Sequence, residues 1–207
     1  MKCVYLNETN TIIKDNEKTN AIITAICIDA DVRPAFKENI VKIVSQYNGE
    51  ENKNMTLKWS NITEENTITY LSILKFFNVV KNITLHVRIL PNFSKEMIYP
   101  AYIDIIKDIK EIYQDDIRVF IPAKKNGRRN MSYLNELLKE EDIECSINQN
   151  PLDESKFYQL ANIAGGLIQY YSDPCGYFEH MDEPGKSQIV NYALSMKKSK
   201  DKIFIKK

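Results

Sequence analysis

The order of apolar patterns along the chain is the feature that most restricts its fold. Three short runs rich in β-branched residues lie near the start, at 3–6, 11–13 and 21–28, and polar clusters separate them. Such runs predict a three-strand antiparallel meander. A helical pattern over residues 33–47 follows the meander.

Strand-like and helical patterns then alternate along the rest of the chain. After a short extended piece at 55–59, helical spacing covers 64–80, 94–113, 130–140, 154–171 and 187–196, and strand-like runs cover 84–90, 117–121 and 143–147. Alternation of this kind requires crossover connections, which place strands in parallel on at least part of the sheet. We therefore expect a single α/β domain over residues 1–207, with a mixed sheet and helices on both faces.

Length, charge and hydropathy exclude several classes of protein. A chain of 207 residues that is 43% hydrophobic can bury one sizeable core and is too short for two comfortable domains. Its 28 basic and 28 acidic residues cancel, so any contact with nucleic acid must come from a local patch. No apolar run approaches the roughly 20 residues that span a bilayer, and the start of the chain lacks a secretory apolar segment. We expect a cytoplasmic protein without a membrane partner.

The four cysteines and two histidines show no metal-ligand spacing. They are Cys3, Cys27, Cys145, Cys175, His86 and His180. The cysteines form no C-x-x-C pair, which argues against a zinc ribbon and a redox dithiol. We expect reduced thiols, structural histidines and no cofactor.

Three segments of the chain carry a resemblance to a known family. They are Val4-Tyr-Leu-Asn-Glu-Thr-Asn10, Leu57-Lys-Trp-Ser60 and Gln159-Leu-Ala-Asn-Ile-Ala-Gly165. In order and spacing, over nearly the whole chain, they resemble the domain-of-unknown-function 3800 family, whose members open with Tyr-Ile-Asp-Glu-Ser-Gly and carry Gln-Leu-Ala-Asp on a late helix. The resemblance implies a three-layer ribonuclease H-like fold that begins with the antiparallel meander. It also implies nuclease chemistry, in which clustered carboxylates hold two Mg²⁺ or Mn²⁺ ions roughly 4 Å apart.

The chain departs from that family pattern wherever a family carboxylate aligns. Asn7 stands in place of the first-strand Asp, and Asn162 stands in place of the late-helix Asp. Thr56 aligns with the Glu that precedes the retained Lys58, and Pro122 aligns at or beside an Asp after the fourth core strand. Of the signature acids only Glu8 remains. The resemblance therefore implies a degenerate site without metal or a confident catalytic residue, formed by Asn7, Glu8, Thr56, Lys58, Pro122 and Asn162.

The asparagines at positions 7 and 162 also have two other interpretations. An Asp to Asn change is also the substitution used to trap a nuclease with its substrate, but engineering would not normally add Thr56 and Pro122. Alternatively, the resemblance is accidental and Asn7 is an ordinary turn residue after a strand. A shared site requires Asn7 and Asn162 to lie side by side on one sheet face with Lys58 close by.

A basic cluster provides the clearest alternative binding feature. Lys124, Lys125, Arg128 and Arg129 follow the strand that ends near Ile121. Loops at the carboxyl end of such a strand line the rim where α/β sheets bind ligands. Cations there can hold a phosphate backbone, although a solvated loop accounts for the same residues.

Three functions are consistent with these patterns. The leading hypothesis is a non-enzymatic ribonuclease H-like module that binds nucleic acid or a protein. The second is an active nuclease dependent on Mg²⁺ or Mn²⁺, in which Glu8 and substitute acids such as Asp29 rebuild the site. The third is a structural subunit of a bacterial or phage-related assembly. The sequence does not define the oligomeric state.

Overall fold

Two long antiparallel strands form the centre of the sheet. The structure is a computed structural model that describes residues 1–12, 19–52, 55–122, 131–148, 155–172, 184–196 and 203–206. Strand β1 (Lys2–Ile12) pairs with β2 (Thr19–Asp29) along the whole length of both. The predicted break between strands at residues 8–10 is wrong, because these residues continue the β1 ladder opposite β2. Polar residues that favour turns are therefore overridden here by pairing with a long apolar strand.

The remaining elements complete a mixed sheet between helices. They are α1 (Arg33–Asn48), α2 (Thr67–Val79), β3 (Ile83–Leu90), α3 (Ile98–Tyr113), β4 (Ile117–Phe120), α4 (Met131–Glu140), β5 (Ser146–Asn148), α5 (Ser155–Ser172), α6 (Pro184–Met196) and β6 (Ile203–Lys206). The strand order is β5-β4-β1-β2-β3-β6. Strand β3 is antiparallel to β2, whereas β4 is parallel to β1, β5 to β4 and β6 to β3.

The α/β class and the mixed sheet predicted from the sequence are confirmed, with two corrections. The third strand of the antiparallel meander is β3, which follows two helices instead of coming directly after the first two strands. Strand β6 lies in a lysine-rich tail that the sequence did not predict to be a strand. Its three consecutive apolar residues, Ile203, Phe204 and Ile205, pair with β3, and the lysines around them masked this strand in the sequence pattern.

Alternate residues of β1 and β2 build a core on each face of the sheet. On one face, Tyr5 and Ile26 join buried side chains of α1, α2, α5 and α6. On the other, Val4 and Leu6 join buried side chains of α3 and α4. Successive side chains of a strand point to opposite faces, so every residue of β1 is committed to one of these two faces.

Helix α5 packs unusually close to β1 and β2. The rings of Phe157 and Tyr5 stack with centroids 4.4 Å apart. Two turns further along the helix, an ideal Cβ on Gly165 would lie 2.6 Å from Thr9 Oγ1, and one on Gly166 would overlap the Trp59 side chain. The absence of a side chain at both positions therefore permits this close packing.

We expect an added methyl group to affect the free energy of unfolding differently at Gly165 and at Gly166. Gly166→Ala should lower the free energy of unfolding by about 1–3 kcal/mol, because the buried indole of Trp59 cannot yield without repacking. The gain in helix propensity from Gly to Ala, about 1 kcal/mol, only partly offsets this loss. Gly165→Ala should cost less, since it meets the hydroxyl end of Thr9. Urea unfolding of both variants checks the order, and equal losses would contradict it.

Candidate functional site between β1 and α5

Asn7 lies on the α5 face of the sheet. Its cross-strand partner is Thr24, whose hydroxyl donates a hydrogen bond to the Ala161 carbonyl oxygen of α5 at 2.9 Å. Paired residues of antiparallel strands project to the same face, so Asn7 faces α5 with Thr24. The Asn7 side-chain amide donates to the Glu8 carbonyl oxygen at 3.4 Å.

Pro122 follows the end of β4, the parallel neighbour of β1. The last paired residues of these two strands are Tyr5 and Phe120, and Phe120 belongs to the α5-side core. Pro122 comes two residues after Phe120 in the chain, as Asn7 comes two residues after Tyr5. Proline contributes neither a charge nor an N–H group at this position.

Asn162 fixes the backbone of an extended segment against α5. We call residues 55–59 the strap. The Asn162 side-chain oxygen accepts a hydrogen bond from the Trp59 N–H at 3.1 Å, and Gln159 accepts one from the Leu57 N–H at 3.0 Å. Lys156 Nζ donates to the Met55 carbonyl oxygen at 2.8 Å. Side chains at positions i, i+3 and i+6 of one helix therefore hold alternate residues of the strap.

The strap presents its backbone and apolar residues to α5, while Thr56 and Lys58 are exposed. Leu57 and Trp59 alternate with these two residues and are buried. The Tyr70 hydroxyl of α2 accepts a hydrogen bond from the Lys58 N–H at 3.3 Å and donates to the Lys58 carbonyl oxygen at 3.1 Å. The structure thus brings the strap backbone, not the Thr56 or Lys58 side chain, against Asn162.

Glu8 lies on the opposite face from Asn7. Its carboxylate accepts a hydrogen bond from the Tyr102 hydroxyl of α3 at 3.3 Å, and Tyr102 belongs to the core on the α3 side. The prediction that Glu8 shares a site with Asn7 and Asn162 is therefore wrong. A strand that continues through residues 7 and 8 predicts this separation, because adjacent residues of one strand project to opposite faces.

Asp29 is also unable to rebuild an acidic site near Asn7. It pairs with Lys2 at the far end of the β1–β2 ladder, where Lys2 Nζ and Asp29 Oδ1 are 2.5 Å apart. Asp29 lies five positions along β2 from Thr24, the partner of Asn7, which corresponds to about 17 Å at a rise of roughly 3.4 Å per residue. Within the described ranges, no group of three or more His, Cys, Asp or Glu side chains could hold a metal ion.

Several sequence predictions fall elsewhere in the molecule. His86 is buried on β3, where its Nε2 atom and Thr84 Oγ1 are 3.1 Å apart, as expected for a structural histidine. Cys27 and Cys145 are free thiols, Cys3 is buried, and burial raises the pKa of Cys27 to about 12. The cationic residues Lys124, Lys125, Arg128 and Arg129, together with Cys175 and His180, lie outside the described residues.

Comparisons with known proteins do not assign a family. The sequence matches no protein-family model, and a search of curated proteins found no significant match. The family resemblance therefore rests on the three sequence segments alone. None of the helices in the described part of the chain combines the length and apolar character needed to cross a membrane.

Asn162 provides a direct test of the hydrogen bond to the strap. Asn162→Leu should lower the free energy of unfolding by about 1–3 kcal/mol, because the Trp59 N–H loses its acceptor. Asn162→Asp should cost much less, since a carboxylate oxygen accepts the same bond and strengthens it by charge. Urea unfolding measures both changes.

The matched control is Asn135→Leu at an exposed position of α4, for which we expect a change within about 0.5 kcal/mol. If Asn162→Asp is as destabilised as Asn162→Leu, the Asn162 side chain does not act as this acceptor.

Proposed function

We propose that this chain is a ribonuclease H-like module that lacks nuclease activity and binds nucleic acid at the carboxyl end of β4, next to the middle of β1. The observation that carries the proposal is the chemistry of the α5 face in this region. Asn7 lies on that face, Pro122 follows β4, Asn162 binds the strap, and none of the three offers a carboxylate. Hard divalent cations require clustered anionic oxygens, so these three positions lack the ligands for two-metal catalysis.

The sheet supports the ribonuclease H-like assignment. Strands β1, β2 and β3 form an antiparallel meander, β4 and β5 extend it in parallel from the β1 side, and helices cover both faces. This is the arrangement that the family resemblance implies. The additional parallel strand β6 and the two helices between β2 and β3 are extensions of that plan.

The choice of nucleic acid as partner follows from the position of the basic cluster in the chain. Lys124, Lys125, Arg128 and Arg129 lie between the end of β4 and the start of α4. Strand β4 ends opposite Tyr5, two residues before Asn7 on β1, and ligands of α/β sheets bind at the carboxyl ends of such strands. Because the chain has a formal net charge of zero, its attraction to phosphates must come from a local cluster of basic residues.

Restored carboxylates should create metal dependence that the wild-type chain lacks. We expect Mg²⁺ to leave the melting temperature of the wild type unchanged and to raise that of the double variant Asn7→Asp, Asn162→Asp by mass action. Without metal, this double variant should melt below the wild type, because two nearby carboxylates repel each other. Differential scanning calorimetry with and without Mg²⁺ provides the measurement.

The control for restoration is Asn7→Asp with Asn39→Asp, which adds the same charge but places one acid at an exposed position of α1. Equal Mg²⁺ shifts in the two double variants would show that Asn7 and Asn162 do not share a site. Mn²⁺-dependent cleavage by the wild type would support the active nuclease instead, and Glu8→Ala then tests whether Glu8 is needed.

Nucleic-acid binding should depend on the cluster after β4. The loop variant replaces Lys124, Lys125, Arg128 and Arg129 by Gln, and the control replaces the tail lysines Lys197, Lys198, Lys200 and Lys202 by Gln. We expect the loop variant to bind a nucleic-acid duplex more weakly than the wild type. The slope of log K against log salt concentration should become less steep by about 0.9 for each lost phosphate contact. Fluorescence anisotropy over a salt series measures both. An equal loss in the tail variant, or no binding by the wild type, would contradict the proposal.

A further inference from the structure

The strap is attached to the rest of the protein through side chains, not through a β ladder. Lys156, Gln159 and Asn162 of α5 bind the backbone of residues 55, 57 and 59, and Tyr70 of α2 binds both backbone groups of residue 58. Leu57 and Trp59 add the apolar contacts. The strap is therefore held between two helices by a small set of separable bonds.

Lys156 is the unusual member of this set because it is a buried cation with no countercharge among the described residues. Only 6% of the residue is exposed, and its ammonium group donates a hydrogen bond to the Met55 carbonyl oxygen. Burial lowers the pKa of the Lys156 side chain, with no carboxylate of the described chain acting in the other direction. Taking an ammonium group out of water is costly, and one neutral acceptor recovers only part of its hydration.

We propose that residues 55–59 open and close against α5, and that the charge on Lys156 controls how often the strap is open. Opening the strap removes the Met55 carbonyl and the covering chain from Lys156, so that water can hydrate the ammonium group. Closing it buries the amine again. This inference does not depend on what the protein binds.

The direction of the pH effect follows from proton binding. Burial disfavours the charged amine, so the closed strap binds fewer protons on Lys156 than the open strap does. Raising the pH therefore favours closure. The effect develops between the lowered pKa of Lys156 and the ordinary lysine value of 10.5, and the closed strap carries the full penalty at lower pH.

The other titratable groups around the strap allow a clean comparison. Lys58 is exposed on the strap itself, and Tyr70 of α2 has a pKa that burial raises above its ordinary value. Glu50 and Glu51 precede the strap and are exposed. None of these groups contributes to the shift at Lys156, whose cause is burial.

Acrylamide quenching of Trp59 tests the proposal in the intact protein. Trp59 is the sole tryptophan of the chain, so its fluorescence reports only on the strap. Lys156→Met removes the charge while keeping an unbranched apolar side chain. We expect this variant to be quenched less than the wild type at neutral pH, with opening reduced about tenfold for each unit by which the Lys156 pKa is lowered.

The pH series and controls separate charge from hydrogen bonding. As the pH rises from neutral to the ordinary lysine value of 10.5, wild-type quenching should fall while that of Lys156→Met stays level. The matched control Lys58→Met, at an exposed position of the same strap, should follow the wild type. Lys156→Gln is neutral but keeps a hydrogen-bond donor. Its quenching should follow that of Lys156→Met at each pH, and it replaces Lys156→Met in the test if that variant does not fold. Greater quenching in the neutral variants, or identical pH profiles in all four proteins, would overturn the proposal.

Discussion

The close approach of α5 to the β1–β2 pair is the contact on which the candidate site and the strap both depend. It is possible because Ala161, Gly165 and Gly166 leave little or no side chain between the helix and its neighbours. The polar residues on the adjacent stripe of α5 then lie within hydrogen-bonding distance of the strap backbone. A bulkier helix surface would separate Asn162 from Trp59 and remove the packing of α5 on β1 and β2.

The alternation of side chains along β1 separates the two polar residues of the opening signature. Asn7 faces α5, whereas Glu8, the one acid left in the signature, faces α3 and binds Tyr102. A shift in strand register would reverse both side chains together, so bringing them to one face would require a bulge that interrupts the β1–β2 ladder. The loss of charge at the α5 face is therefore a property of the fold and not of one rotamer.

Apolar periodicity was sufficient to predict the α/β class, because it reflects which faces are buried. It failed at residues 7–10, where polar side chains continue a strand, and at β6, where two lysines flank three apolar residues. The contact between Asn162 and the strap was not predictable from the family pattern, which treats position 162 as a metal ligand. The i, i+3, i+6 spacing of Lys156, Gln159 and Asn162 does mark a polar stripe on α5, but only the structure shows that a backbone binds it.

Because Asn7 and Asn162 offer no carboxylate, we expect that no divalent metal ion binds between the middle of β1 and α5. Titration of ¹⁵N-labelled protein with Mn²⁺ tests it at individual residues, because a bound paramagnetic ion broadens the amide signals around it. We expect the backbone signals of Asn7 and Asn162 to keep the same relative intensity throughout the titration as those of Leu134 and Leu138 of α4, which lie on the opposite face of the sheet. Selective loss of the Asn7 and Asn162 signals at low Mn²⁺ concentration would contradict it.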